Sequence, residues 1–437
     1  ELRTNFTATI DVSLRVSDLQ ETITVSGATP LIDVQTATQQ RTVSRELLDT
    51  VPTAKSMLGI AALIPAVVEP PNAQDVGGSK GERSVRISVH GGKTFDSRLL
   101  QDGMRYNALT PGLGTLEGTG RGYYANPLAL EEVVVDLGTM GSAEYSLGGA
   151  QVNSIPKGGG NRLNGSFFVG GTGSALQSNN LDDDLRSRGL ASVNTVEKVY
   201  DFNGAVGGPI LQDRLWFFVA ARRWGTTTGV ANLFADASTT DLVYTADTSR
   251  PIHPDEVDRG AGGRLTYQAT KRDKVTFSYD KQRNFQDQLT GQLETGTIKN
   301  EANPGYCQTH EVIQGTWTRP ESQNLLFDAG VTVSRFNFGG FGGDLFQSDY
   351  EGCGGGIQDN VSINDTGLGF TYNGVGNRSM SLSHQSNGRF NVSIIKGRHN
   401  LKGGVFWMYG LGGGHRTYTR RGPTQIGGLP VSYTFNN

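Results

Sequence analysis

The chain has 437 residues, a formal net charge of −3 and 61 glycines. That charge excludes the basic footprint a nucleic-acid partner requires, and no run of about 18 apolar residues exists to form a membrane-spanning helix. Glycine is about twice as frequent as in ordinary domains yet keeps no short period, which excludes collagen and simple linkers and leaves strand, bulge and loop positions.

Residues 6–16, FTATIDVSLRV, alternate apolar and polar side chains over the length of one strand, expected to end a small β domain. Glu21, Thr22, Ile23, Thr24, Val25, Ser26 and Gly27 continue in strand-like fashion, which fits either the last strand of that domain or a separate extended segment. No signal peptide precedes them and the chain stops in the strand-like PVSYTFNN, so a fragment is expected. From Val43, SRELLDTV and KSMLGIAALIP offer short helices, the second stopped by Pro65. Strand-like pieces follow at 84–90, 97–103, 131–138 and 148–160, with Asn126-Pro127 placed to open a short helix before the third. Residues 28–160 therefore read as a small α+β domain.

Beyond residue 161 helical signals vanish and strands of roughly ten residues take over. Val275, Phe277 and Tyr279 fall on one face and Thr276, Ser278 and Asp280 on the other. Leu325, Phe327, Ala329, Val331 and Val333 likewise oppose Asp328, Gly330, Thr332 and Ser334. Half-buried strands of a soluble sandwich alternate in the same way, so the connections decide. Four are tight and polar, at 212–214, 271–273, 321–323 and 396–399; between them lie long ones at 172–197, 228–257, 289–309 and 340–377. Short turns on one rim and long loops on the other are the habit of outer-membrane barrels, where a sheet must close because lipid leaves no partner for an open backbone edge. Trp216, Phe218, Trp224, Trp317, Trp407 and Tyr409 sit toward strand ends and are assigned to an interfacial girdle. Nine or ten strands are counted; the soluble sandwich or adhesin with long loops is the competing fold.

Against this background the residues resemble a known family, the TonB-dependent outer-membrane receptors, in its Oar-like branch with a carboxypeptidase-regulatory-like domain ahead of the plug. ETITVSGATPLIDVQTATQQRTVSRELLDTVPTAKSMLGIAALIPAVV looks like the entry into the plug, and EEVVVDLGTMGSAEYSLGGAQVNSIPKGGGNRLNGSFF like its passage into the first barrel strand. FNGAVGGPILQDRLWFF resembles the hairpin that follows; KGGGNRLNGS departs from the usual ending of lysine, serine or threonine, and glycine. The resemblance implies a mostly β protein: residues 1–27 the end of the regulatory-like domain and a TonB box at Glu21–Gly27, 28–160 an α+β plug, and 161–437 the N-terminal part of an antiparallel transmembrane barrel of about 22 strands when complete. It also implies TonB, outer-membrane lipid and a small-molecule or oligosaccharide ligand as partners, an outer-membrane location in a Gram-negative-type bacterium, and energised uptake of a siderophore, cobamide or oligosaccharide. A surface adhesion or polysaccharide-binding receptor is the alternative.

A plug inside a polar lumen needs hydrogen bonds and charge pairs with the wall. Arg83, Arg86, Arg98, Asp102, Glu131 and Glu132 are the plug-side candidates; Arg222, Arg264 and Asp328 are placed inward because a charge facing lipid costs about 2–4 kcal/mol. In the plug loop 104–126, Arg105, Tyr106, Asn107, Arg121, Tyr123 and Tyr124 are candidate ligand contacts, since rings stack and guanidinium groups bond in pairs at a wet surface. Its glycines lack the strand and helix of a dinucleotide site. The acidic run at 182–184 is read as solvated rather than calcium-binding, the six histidines keep no metal spacing, and no nucleophile, base and acid set suggests an enzyme. Neither metal nor other cofactor is called for. Cys307 and Cys353 fall in long loops of the same rim in an oxidising compartment, so a disulfide between them is expected.

Overall fold

The computed structural model describes residues 40–51, 67–68, 88–89, 98–106, 123–136, 151–238, 242–286, 296–299, 302, 305–340, 362–374, 377–397, 399–418 and 432–435. Residues 21–27, Arg83, Arg86, Asn107, Arg121 and Cys353 lie outside them.

The first part of the chain builds a mixed five-stranded sheet. It comprises β1 (Gln40–Ser44), β4 (Arg98–Gln101), β5 (Met104–Arg105), β6 (Leu130–Asp136) and β7 (Gln151–Pro156), ordered β1-β6-β7-β4-β5, with β4 parallel to β7. A separate short pair joins β2 (Val67–Val68) to β3 (Ser88–Val89). Val133, Val135 and Val152 form the sheet's apolar interior. The helix α1 (Arg45–Thr50) starts where the Ser44 side chain accepts the Leu47 amide, and its Arg45 donates to the carbonyls of Pro127 and Leu130. The short helix expected at Asn126-Pro127 is a single 3₁₀ turn, Pro127–Ala129, capped by Asn126 Oδ1 on the Leu128 amide at 3.0 Å.

The link to the second part turns at Gly159, whose φ of +78 and close approach to the Phe217 carbonyl leave no room for a Cβ. This supplies a physical reason for glycine in the unusual KGGG run. Nine antiparallel strands then follow in meander order. They are β8 (Asn164–Gly173), β9 (Thr195–Leu211), β10 (Leu215–Gly229), β13 (Asp255–Gln268), β14 (Lys274–Gln286), β15 (Tyr306–Ser322), β16 (Leu325–Gly340), β19 (Asn377–Lys396) and β20 (His399–Tyr418). All four tight turns fall where the sequence puts them, and all four long connections lie on the opposite rim. Two of the long connections carry small strands of their own: β11 (Phe234–Asp236) with β12 (Ala246–Pro251), and β17 (Ser362–Asp365) with β18 (Phe370–Tyr372). β21 (Ser432–Phe435) joins β17 in parallel. In the first long loop Asp182 caps the helix α2 (Asp183–Ser187), which gives one carboxylate of the acidic run a local partner.

Alternation assigns the two faces of the wall. Phe277, Val331, Phe390 and Val405 are exposed on the outside, while Thr276, Thr332, Ser334 and Asn391 are buried on the inside. An apolar exterior over a polar interior is what a strand wall needs when lipid lies outside and a hydrated lumen inside. Among the described residues no helix is long and apolar enough to cross a membrane; crossing is left to the strands.

The girdle assignment needs correction. Trp407 and Tyr409 do face outward, and Trp317 shares the outward parity of Ile313 while its Nε1 donates to Asp273 at 3.0 Å. Trp216, Phe218 and Trp224 instead share the inward parity of Arg222. Phe218 packs on Leu128 and Ala205, Trp224 lies edge-on to Tyr124 at 6.0 Å, and Trp216 Nε1 donates to Asn161 at 2.7 Å.

Candidate functional site

The site is the contact between the five-stranded sheet and the inner face of the wall. Its focus is the β4–β5 hairpin, where Asp102 and Gly103 take φ of 49 and 72, the left-handed pair of a type I′ turn. Strand β4 is buried on both faces, one against its own sheet and the other against the wall.

Three wall strands seize that turn. From β13, Arg264 Nη1 donates to Asp102 Oδ2 at 2.5 Å and Nη2 to Oδ1 at 3.3 Å, a forked contact that fixes direction as well as charge. From β15, Gln314 Nε2 donates to the Gln101 carbonyl at 3.1 Å and to Asp102 Oδ2 at 3.2 Å. From β19, Arg389 donates to the carbonyls of Gly103 (2.6 Å) and Asp102 (3.2 Å), and its Nε lies 3.2 Å from Asp328 Oδ1. Asn153 of β7 accepts the Gly103 amide at 2.8 Å. Every exposed group of the turn thus has a fixed partner.

Further along, Asn387 donates to the Arg105 carbonyl at 2.9 Å, and Gln282 accepts the Tyr124 amide at 2.8 Å while donating to its carbonyl. Asn126 and Asn203 exchange amide bonds at 3.0 and 2.7 Å. Neutral amides therefore make much of the seam, which holds without burying many net charges.

The outer edge of the seam is aromatic. Tyr106 and Tyr123 meet edge to face at 5.2 Å, Tyr123 meets His310 of β15 at 5.5 Å, and His310 meets Phe336 of β16 at 5.4 Å. Burial, with the Asp280 carboxylate nearby, pushes both phenols above their ordinary pKa. Of the candidate ligand residues, Tyr106, Tyr123 and Tyr124 are buried against the wall, and Arg105 is half-buried. Of the expected charges, Asp102, Arg264 and Asp328 meet at the hairpin, Arg98 is buried in β4, and Arg222 pairs with Asp201 at 2.9 Å. Glu131 is exposed and Glu132 half-buried. Sequence reasoning missed Gln314, Arg389, Asn387 and Gln282. Their inward parity was readable, but contacts spanning 158 to 287 residues leave no local signal.

A small mixed sheet locked to the polar inside of a meandering, lipid-facing wall defines a plugged outer-membrane β-barrel. The chain is similar to the TonB-dependent transporter Oar of Myxococcus xanthus, 28% identical over 225 residues, which is 50% of this chain and 20% of that protein. Its fold is similar to a mutant of the ferric enterobactin receptor PfeA of Pseudomonas aeruginosa, with a TM-score of 0.52 and 12% identity, covering 84% of this chain and 48% of that one. It is also similar to the outer membrane transporter YddB of Escherichia coli, with a TM-score of 0.50 and 12% identity, covering 86% and 56%. No family model matches. The chain thus spans about half the length of these solved structures and a fifth of Oar. Sequence and fold agree on an Oar-like TonB-dependent receptor located in the outer membrane, whose relatives are transporters and receptors rather than enzymes.

Proposed function

We propose that the protein takes up a large nutrient across the outer membrane with energy delivered by TonB. The observation that supports this most directly is the triple hold of Arg264, Gln314 and Arg389 on the Asp102-Gly103 turn. A lumen closed by so many hydrogen bonds opens only if work is done on the plug, and the outer membrane has no ATP supply of its own. TonB, driven from the inner membrane, would supply that work by pairing with Glu21–Gly27 as an added strand, where bonds of about 1 kcal/mol net each accumulate. In this reading residues 28–160 are the plug and 161–437 the wall. Arg105, Asn107 and Arg121 would touch the ligand, while Tyr106, Tyr123 and Tyr124 transmit its arrival to the wall.

The ligand is assigned to the siderophore, cobamide or oligosaccharide classes. The test is accumulation of a radiolabelled member of each class by cells making the full-length protein, with and without residues 21–27. Uptake lost on deletion and on addition of an uncoupler is expected. Accumulation that survives both would instead favour a surface adhesion or polysaccharide-binding receptor.

A further inference from the structure

The outside of the wall carries a second pattern, above the apolar belt. Arg223 on β10 pairs in register with Arg259 on β13, and Arg259 with Arg283 on β14, so three arginines stand side by side across neighbouring strands. Each shares the parity of an exposed apolar residue on its own strand: Val219, Leu265 and Phe277. The row therefore looks outward, away from the plug. Lys198 and Lys281 extend it, Lys198 lying 4.7 Å above the Tyr200 ring and Lys281 pairing with Glu311 at 2.9 Å. Acidic relief is sparse. Glu311 is bonded to Lys281, and Asp255 stands further out, where Thr227 donates to it.

Like charges directly opposite one another on a sheet repel. The level of the row says what offsets that repulsion. Eight residues separate Leu215, at the tight-turn rim, from Arg223; at roughly 3.4 Å each and a tilt of about 40°, the row lies about 20 Å above that rim, near the top of an apolar band about 25 Å tall. Tyr200 and Tyr279 flank this level, where aromatic side chains mark the membrane interface. Below the arginines, Val219, Leu265 and Phe277 present a surface suited to acyl chains.

We infer that Arg223, Arg259 and Arg283, flanked by Lys198 and Lys281, form a binding site for the phosphate groups of an anionic lipid in the outer leaflet. Guanidinium groups match phosphate oxygens in a forked geometry, and three in a row suit a headgroup with more than one anionic oxygen. The occupant is a lipid rather than free phosphate because the same face that offers the charges also offers the apolar bed beneath them.

The test uses full-length protein in neutral detergent, with phosphatidic acid, phosphatidylcholine and soluble glycerol phosphate as probes, read by native mass spectrometry. Phosphatidic acid is expected to be retained over phosphatidylcholine. That preference should fall by about tenfold or more in the variant R223Q/R259Q/R283Q, persist in a control losing three cations at the other rim (K271Q/R272Q/K396Q), and resist equal concentrations of glycerol phosphate. Circular dichroism checks that each variant keeps its sheet, and R259Q alone provides a milder loss if the triple variant does not insert. The inference is overturned if the wild type shows no preference, if the triple variant keeps it, if the rim control loses as much, or if glycerol phosphate displaces the lipid.

Discussion

The Asp102 carboxylate and the Arg264 guanidinium lie 2.5 Å apart across 162 residues of chain, one on the plug hairpin and the other on the wall. Both side chains are largely withdrawn from water, at 14% and 11% exposure, so removing either leaves a charge without its partner where rehydration is poor. Asp102→Ala and Arg264→Gln should each loosen the hairpin by about 3 kcal/mol, and D102N/R264Q by less than the sum. Hydrogen exchange of the amides in β4 and β5 measures this. Unchanged protection in the single variants would mean the pair contributes nothing to seating.

Gly103 is required for two separable reasons. Its φ of +72 is costly for other residues, and an added Cβ would collide with the Arg389 guanidinium. Gly189 has a φ of +92 but open space around it, so Gly189→Ala reports the backbone cost alone. Gly103→Ala should cost about 1–2 kcal/mol from the backbone plus the displacement of Arg389, and so lower the melting temperature more than Gly189→Ala. Equal shifts would show that Arg389 yields freely.

How much of this was legible before the structure depends on which solvent shaped each pattern. Val275, Phe277 and Tyr279 against Thr276, Ser278 and Asp280 were readable because lipid and lumen impose opposite demands on successive residues. The hairpin was readable too, since Asp-Gly between apolar residues is a strong turn signal, yet 97–103 was taken as strand with no turn assigned. Trp224 and Phe218 were misplaced because an aromatic ring suits both an interface and a plug contact. Their even spacing from Arg222, already assigned inward, held the correction. The grip of Gln314 and Arg389 had no such signal: a neutral amide or an arginine on the inner face names no partner until the plug is in place.

Burial raises the pKa of both Tyr106 and Tyr123, with Asp280 adding to the effect. Both are plug residues whose neutral form is favoured when folded. Their contribution is therefore complete below about pH 10, the ordinary phenol value, and declines above it as the unseated phenols ionise first. Alkaline titration followed by tyrosinate absorbance should show a late-ionising fraction that shrinks in Tyr123→Phe. Hydrogen exchange in β4 should accelerate over the same alkaline range. A Tyr123→Phe titration identical to the wild type would place that phenol in water.

Cys307 is 2% exposed near the long-loop end of β15 and is not a free thiol, and Cys353 is the only other cysteine in the chain. A disulfide between them would close a loop of about 47 residues and stabilise the fold by about 4 kcal/mol through the unfolded state. It would also tether the segment between β16 and β19 to the start of β15, holding two extracellular connections together above the lumen. Alkylation in denaturant should label neither cysteine without reductant and both after reduction, and Cys353→Ser should lower the melting temperature and speed proteolysis between β16 and β19. Full labelling of unreduced protein would rule the bridge out and leave those loops to move independently.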